Sequence, residues 1–215
     1  MRIAILGGTG REGHGLALRW AKAGHTIVLG SRDAQRASLR ARDLSSLGHG
    51  KITGDDNVSA TAGADAVLVS VPYSAHGELL TELREVLHGR IVIDITVPLE
   101  PPRIQEVRLP PGNAAALEAQ AILGTSTHVA AALHHIGSTH LADLDRPLEG
   151  DVLVSSDFDD ALRLTIGLVA DLGLRGLDAG SLRNAIALEA LTSVLLHINK
   201  RYGVEGAGIR IAGVV

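Results

Sequence analysis

The sequence predicts an α/β fold built on a doubly wound, mostly parallel sheet, and three observations predict it. Short continuous runs of Val, Ile, Leu and Ala recur along the chain, the pattern of strands buried on both faces. Stretches of helical composition separate these runs, so strand and helix alternate. The first run stops at a glycine loop that opens a helix, the local order of a mononucleotide-binding β-α-β unit.

In chain order, RIAIL at 2–6 is the first strand. A helix over 13–23 ends at Gly24, a C-cap glycine. A strand at 26–29 leads to a helix over 33–47 with Asp33 as its N-cap. A short strand is expected at 52–54. AVLVSV (66–71) and RIVIDI (90–95) are β-branched strands on either side of a helix over 75–87. The proline-rich stretch 98–113 reads as a loop, 114–123 as a helix, and HVAAALH (128–134) as a sixth strand. Beyond about residue 145 the rhythm changes. DVLVSS (151–156) is a strand, a helix begins at Asp157 or Asp159 and reaches Leu172, and 174–179 is a further strand. A long helix follows over 183–200, and then an extended tail. The expected division is a nucleotide-binding domain over 1–145 and a small C-terminal α/β domain over 146–215 packed on it.

Composition narrows the function. The chain has 215 residues, of which 46% are hydrophobic but only 2% aromatic, so the core must be aliphatic and no aromatic platform for single-stranded nucleic acid is available. The net charge of -4 gives no basic footprint for nucleic acid. Cysteine is absent, which excludes disulfides, thiolate metal sites and cysteine nucleophiles. No His/Asp cluster has metal-ligand spacing, so no metal is expected. The N-terminus lacks signal-peptide sections, and no apolar run reaches the roughly 18 residues of a membrane span. A cytoplasmic protein with small-molecule partners is the expectation.

Gly8, Gly10 and Gly13 form G-x-G-x-x-G directly after the first strand. In that context the spacing points to a dinucleotide: Gly8 for a tight turn, Gly10 for close approach of the pyrophosphate, Gly13 for packing of helix on strand. The phosphates would meet free N–H groups at the helix N-terminus, with Thr9 adding a hydroxyl and Arg11 flanking. About 20 residues on, where a carboxylate would hold the ribose hydroxyls of NAD, the chain reads Gly30, Ser31, Arg32, with Arg36 one helical turn later. A hydroxyl and guanidinium groups bind a 2′-phosphate that a carboxylate would repel. The cofactor is therefore read as NADP(H).

Ligands of such folds lie beyond the carboxyl ends of the strands. Val71 and Pro72 after one strand, and Pro98 after the next, are placed as apolar walls for a nicotinamide ring. His134 and His135 follow in the sixth strand, where they would face opposite sides. No Tyr-x-x-x-Lys pair and no Ser-His-Asp arrangement is present. Without an evident proton donor, an NADP enzyme could pass hydride directly to a second redox ring, which needs mainly positioning. From the residues alone the acceptor stays open between a redox ring such as a flavin, an imine and a small carbonyl compound. A non-catalytic NADP-sensing module is the reading from another class.

The stretch GGTGREGHGLALRWAKAGHTIVLGSRD resembles the start of the F420H2:NADP oxidoreductases, also called NADPH-dependent F420 reductases. The shared motifs are Gly7–Gly10, Gly13–Arg19, Gly24–His25 and Gly30–Arg32. The likeness continues in AALHHIGSTHLADLD, GLDAGSLRNAIALEALT and HINKRYG. It implies a Rossmann domain with a small C-terminal domain that completes the cleft for the second substrate, a homodimer or higher homo-oligomer, and coenzyme F420 as co-substrate. It also implies direct hydride transfer between nicotinamide and deazaflavin. Thr9, Ser31, Arg32 and Arg36 would hold the 2′-phosphate, with His134 and Ile136 beside the deazaflavin. The chain departs from the family pattern at Ser181, where proline is usual, and at Ile186, where arginine is usual; both are expected on the second-substrate side.

Overall fold

Alternation along each strand decides which helices it meets. In β1 (Arg2–Leu6), Ile3 and Ile5 enter one aliphatic core while Ala4 and Leu6 enter a second core on the other face of the sheet. The continuous apolar runs have this cause: both faces are covered.

The further elements are α1 (Arg11–Lys22), β2 (Thr26–Ser31), α2 (Ala34–Ser45), β3 (Ile52–Asp56), α3 (Asn57–Thr61), β4 (Ala66–Val69), α4 (Tyr73–Leu83), β5 (Ile91–Asp94), α5 (Ala115–Leu123), β6 (His128–Ala131), α6 (Ser138–Ala142), β7 (Asp151–Ser156), α7 (Asp159–Ala170), β8 (Arg175–Asp178) and α8 (Ala185–Tyr202). The structure is a computed structural model that describes residues 1–48 and 50–214. Its eight strands form one sheet in the order β3-β2-β1-β4-β5-β6-β7-β8. The first six are mutually parallel. The sheet grows outward from β1 in both directions, so a switch point lies between β1 and β4, where this fold class binds its ligands.

The C-terminal residues supply β7, α7, β8 and α8, and their strands extend the same sheet. β7 runs antiparallel to β6, and β8 parallel to β7. Trp20 of α1 is fully buried and donates its indole N–H to the Leu168 carbonyl of α7 at 2.9 Å, tying the first helix to this last part. Arg19 donates to the carbonyls of His140, Leu141 and Arg146 at 2.8–2.9 Å and holds the segment around α6 against α1.

Local signals act as read at several ends. Asp33 caps α2, its side chain accepting from the N–H groups of Gln35 and Arg36, and Gly24 takes φ +96° after α1. Two readings differ. The sixth strand stops at Ala131, because Leu133 turns into the left-handed region at φ +66°. The short helices α3 and α6 have too few residues for a periodic signal. The tail is tethered to β7 and β8: the Asp151 N–H donates to Ile209 O (2.8 Å), and Arg175 binds both the Asp151 carboxylate and Ile211 O. Among the described residues no helix is long and apolar enough to cross a membrane, and no group of three or more His, Asp or Glu side chains is placed to hold a metal ion.

Candidate active site

The glycine loop joins β1 to α1 at the switch point. Its tight turn is made by Gly7 and not, as the spacing suggested, by Gly8. Gly7 has φ +78°, and a Cβ there would lie 2.4 Å from Ser70 O at the end of β4. Gly8 is buried, and a Cβ on it would meet Leu29 Cδ2 at 2.7 Å. Gly13 packs as expected: a Cβ would fall 2.8 Å from Gly8 Cα. Helix α1 opens at Gly10 with no side-chain cap, while the Gly10 N–H donates to Gly7 O at 2.8 Å. Its first turn therefore offers free N–H groups and the positive end of the helix dipole.

The end of β2 carries no free carboxylate. Gly30 and Ser31 end the strand, and the Ser31 hydroxyl accepts from the Asp33 N–H at 3.2 Å. Asp33 is occupied as the α2 cap. Asp56, the register partner of Ser31 on β3, caps α3 and binds Ser59 at 2.9 and 2.7 Å. Arg32 and Arg36 are exposed. Thr9 and Arg36 line a groove of about 450 Å³ against α2.

A larger cleft of about 650 Å³ runs along the carboxyl ends of β4, β5 and β6. Gly10, Arg11, Val71, Pro72, His134 and Ile136 all line it. The opposite wall comes from Thr192, Leu195, Leu196 and Asn199 of α8 and from Val204–Ala207 beyond it. Pro98 is not part of this lining. It is buried, and its neighbours Val97 and Leu99 face the cleft in its place. Ser181 precedes the short 3-10 turn Leu182–Asn184, and Ile186 packs against the core around Leu182 and Ala185. Neither residue lines the cleft, so the departures from the family pattern are not part of the cleft wall.

Leu133 explains the histidines. Its left-handed backbone breaks the strand alternation, so His134 and His135 are both buried and both reach the cleft. The His135 Nε2 meets the Leu188 carbonyl at 2.7 Å. His134 is only 7% exposed, and neither ring nitrogen has a partner within the chain. Burial, with help from the charge of His135, pushes His134 down to about 3. It is thus a neutral group whose donor and acceptor are both available to a ligand.

Beneath the cleft lies a polar layer that the sequence did not reveal. The His76 Nε2 sits 2.6 Å from Asp94 Oδ2, and Asp94 Oδ1 accepts from the Thr96 N–H at 2.9 Å. Burial disfavours the His76 proton, but the Asp94 carboxylate outweighs it and the net shift is upward. Burial likewise opposes the charge on Asp94, but His76 and Thr96 hold it below the usual carboxylate range. Tyr73 lines the cleft, and its hydroxyl donates to Glu118 Oε2 at 2.8 Å. Burial and that bond push the phenol up to about 12, so it keeps its proton. Glu189 of α8 accepts from the N–H groups of Ala115 and Ala116 and so caps α5 from a distance. Burial pushes this carboxyl up to about 8, against the pull of the two donors. One signal was present: Asp94 is a carboxylate inside an otherwise apolar strand, and Glu189 stands in an Ala/Leu helix. A charge at such a position must be paired.

Comparison with known proteins follows the same lines. Residues 2–98 match the family model described as NADP oxidoreductase, coenzyme F420-dependent. The chain is 37% identical over 222 residues to the F420-dependent NADP reductase of Methanothermobacter thermautotrophicus, covering 100% of this chain and 96% of that one. It is 35% identical over 226 residues to the F420-dependent NADP reductase of Methanocaldococcus jannaschii, with 100% and 99% covered. Among solved structures, a putative F420-dependent NADP reductase from Arthrobacter sp. FB24 superposes with a TM-score of 0.84 at 26% identity, over 99% of each chain.

Proposed function

The chain belongs to the F420-dependent NADP reductase family, and from that premise we propose that it passes hydride directly between NADP(H) and the deazaflavin coenzyme F420. The observation that carries this reading is the cleft itself: the glycine loop and Val71–Pro72 form one wall, α8 and Val204–Ala207 the other, and His134 and Ile136 lie between them. Two flat redox rings held face to face need such a space.

The residues fit a dinucleotide. The loop has no room for side chains at Gly7, Gly8 and Gly13, and the uncapped start of α1 offers N–H donors to a pyrophosphate. Thr9, Ser31, Arg32 and Arg36 hold the 2′-phosphate, with Arg11 beside the pyrophosphate. Val71 and Pro72 give the nicotinamide side an apolar wall, and Pro98 supports Val97 and Leu99 from behind. The nicotinamide supplies or accepts the hydride. The chain contributes position and exclusion of water, since direct transfer depends on aligned reactants. His134, neutral and unpartnered, orients the co-substrate by hydrogen bonding and does not act as an acid. Ile136 provides the apolar contact next to it.

The segment 146–215 completes the cleft as a small second unit, through α8 and Val204–Ala207. The chain acts in the cytoplasm as a homodimer or higher homo-oligomer. What supports the assembly is the outward stripe of Ala187, Leu191, Val194 and Ile198 on α8, apolar at helical spacing, with Val194 43% exposed. Its mass in solution tests this point.

The test of function is turnover. Purified protein with NADPH and oxidised F420 should bleach the deazaflavin absorbance. Turnover with flavin mononucleotide or a cyclic imine and none with F420 would refute the assignment of the second substrate.

A further inference from the structure

Arg32 stands just before α2 and Arg36 and Arg40 stand on it, and none of them forms an ion pair among the described residues. The nearby acids do not neutralise them. Asp33 is occupied by backbone N–H groups, and Asp43 is exposed at the distal end of the groove.

Arg40 differs from the other two. Arg32 and Arg36 are exposed, whereas Arg40 is half-buried and its Nη2 contacts Nδ1 of His14. His14 belongs to the first turn of α1, immediately beyond Gly13, and its N–H closes that turn onto Gly10 O at 3.0 Å. The Arg40 guanidinium is therefore drawn across from α2 toward the end of α1 at which the glycine loop opens. Side chains on a helix lean toward its N-terminus, which carries Arg40 back toward Arg36. The two guanidinium groups share the 450 Å³ groove with Thr9. His14 is suited to hold Arg40 there. Burial and the Arg40 charge both lower its affinity for a proton, so its Nδ1 lone pair is free to accept from the guanidinium.

We propose that Arg40 is a specificity-determining residue for NADP(H), a third guanidinium for the 2′-phosphate, with His14 as its positioning partner. The inference rests on the NADP reading above and adds a residue that neither the glycine motif nor the Ser31–Arg32 signature contains. The chemistry is that of a phosphate monoester, which carries close to two negative charges near neutral pH. An exposed guanidinium meets such a charge through screening water. One that is half-buried and already held in place loses less freedom on binding and acts through a lower effective dielectric. The ribose 2′-hydroxyl of NAD offers no charge for it to meet.

The test uses the full chain and needs no F420. Dissociation constants are measured calorimetrically for NADPH, NADH, 2′,5′-ADP and 5′-AMP with wild type, R40M and R40K, alongside melting temperatures. R40M should weaken NADPH and 2′,5′-ADP by about tenfold, the size of one charge-assisted hydrogen bond, and leave NADH and 5′-AMP within about twofold. R40K keeps the charge without the planar fork and should fall between R40M and wild type. Should R40M not fold, R40Q and R40K carry the same comparison. Equal weakening of phosphorylated and unphosphorylated ligands, or a lower melting temperature with the NADPH preference intact, would make Arg40 only a tie between helices and overturn the proposal. A wild type that does not prefer NADPH to NADH would overturn the NADP reading itself, a result distinct from wild-type preference that survives R40M.

Discussion

His76 and Asp94 form a buried pair, Nε2 to Oδ2 at 2.6 Å, with both residues at 0% exposure below the cleft. Tyr73 and Thr96, a turn and two residues away along the chain, line the cleft itself. The Tyr73 and His76 rings stack at 6.2 Å. The pair thus fixes the two strand-end segments that form one side of the site. Removing the imidazole strands a buried carboxylate, so His76→Ala should destabilise the fold by about 3–5 kcal/mol, the cost usual for breaking a buried pair. The pH dependence follows from the shifts. His76 is raised above 6.5, so its contribution is complete below that value and fades as pH rises through the raised one. Asp94 is lowered below 3.8, so its contribution is present above that value and fades as pH falls through the lowered one. The gap between wild type and His76→Ala in urea unfolding should be widest between these limits and narrow in alkali. A gap that widens in alkali would show the imidazole is neutral.

Arg32→Ala should weaken NADPH far more than NADH. A charge-assisted hydrogen bond is worth about 1.5–3 kcal/mol, and the exposure of Arg32 places the loss at the lower end. Titration of both cofactors by protein fluorescence or calorimetry measures it. Equal losses would remove Arg32 from the 2′-phosphate site.

What could be read in advance depended on range. Alternating burial, the Asp33 cap and the Gly13 contact are local, and the residues that cause them stand next to one another. The doubly wound class could be expected from the β-α-β rhythm for the same reason. His134 shows the limit. HVAAALH has the composition of a strand to its end, and nothing local announces that Leu133 adopts φ +66°. That backbone state is uncommon for a bulky side chain and is held by tertiary packing. The Glu189 cap on α5 spans 74 positions in sequence, and the His76–Asp94 pair 18. Such partners become visible only when the sheet brings them together. Pro98 and Gly8 were placed by spacing alone, which fixes neighbourhood but not the direction a residue faces.

His134 should matter to turnover by position and not by proton transfer. It is held neutral, pushed down to about 3, so the rate should show no limb near the ordinary histidine range. His134→Ala should lower kcat by about tenfold, well short of the 10²–10⁴ of a general acid. A larger loss with intact binding would identify it as a proton donor. Stability carries the opposite sign from His76. The unfolded chain protonates this histidine below 6.5 while the folded chain does not, so His134 weakens the fold as pH falls from that value toward 3. Relative to wild type, His134→Leu should therefore be more stable in mild acid than at neutrality, as chemical denaturation at the two pH values would record.

Gly7 and Gly24 separate backbone strain from steric contact. Both take positive φ, +78° and +96°. A Cβ at Gly24 meets nothing within 4 Å, whereas one at Gly7 lies 2.4 Å from Ser70 O. Gly24→Ala should then show only the left-handed penalty of about 1–2 kcal/mol and bind NADPH as wild type does. Gly7→Ala carries the same penalty and must also push the β1 loop away from the end of β4. That displacement moves Gly10 relative to Val71 and Pro72, which line the same wall of the cleft. It should weaken NADPH and NADH alike, because the shared pyrophosphate is affected and the 2′-phosphate is not. Calorimetry on both variants checks this, and a Gly7→Ala protein that loses stability but binds both cofactors normally would show that the switch-point contact is structural only.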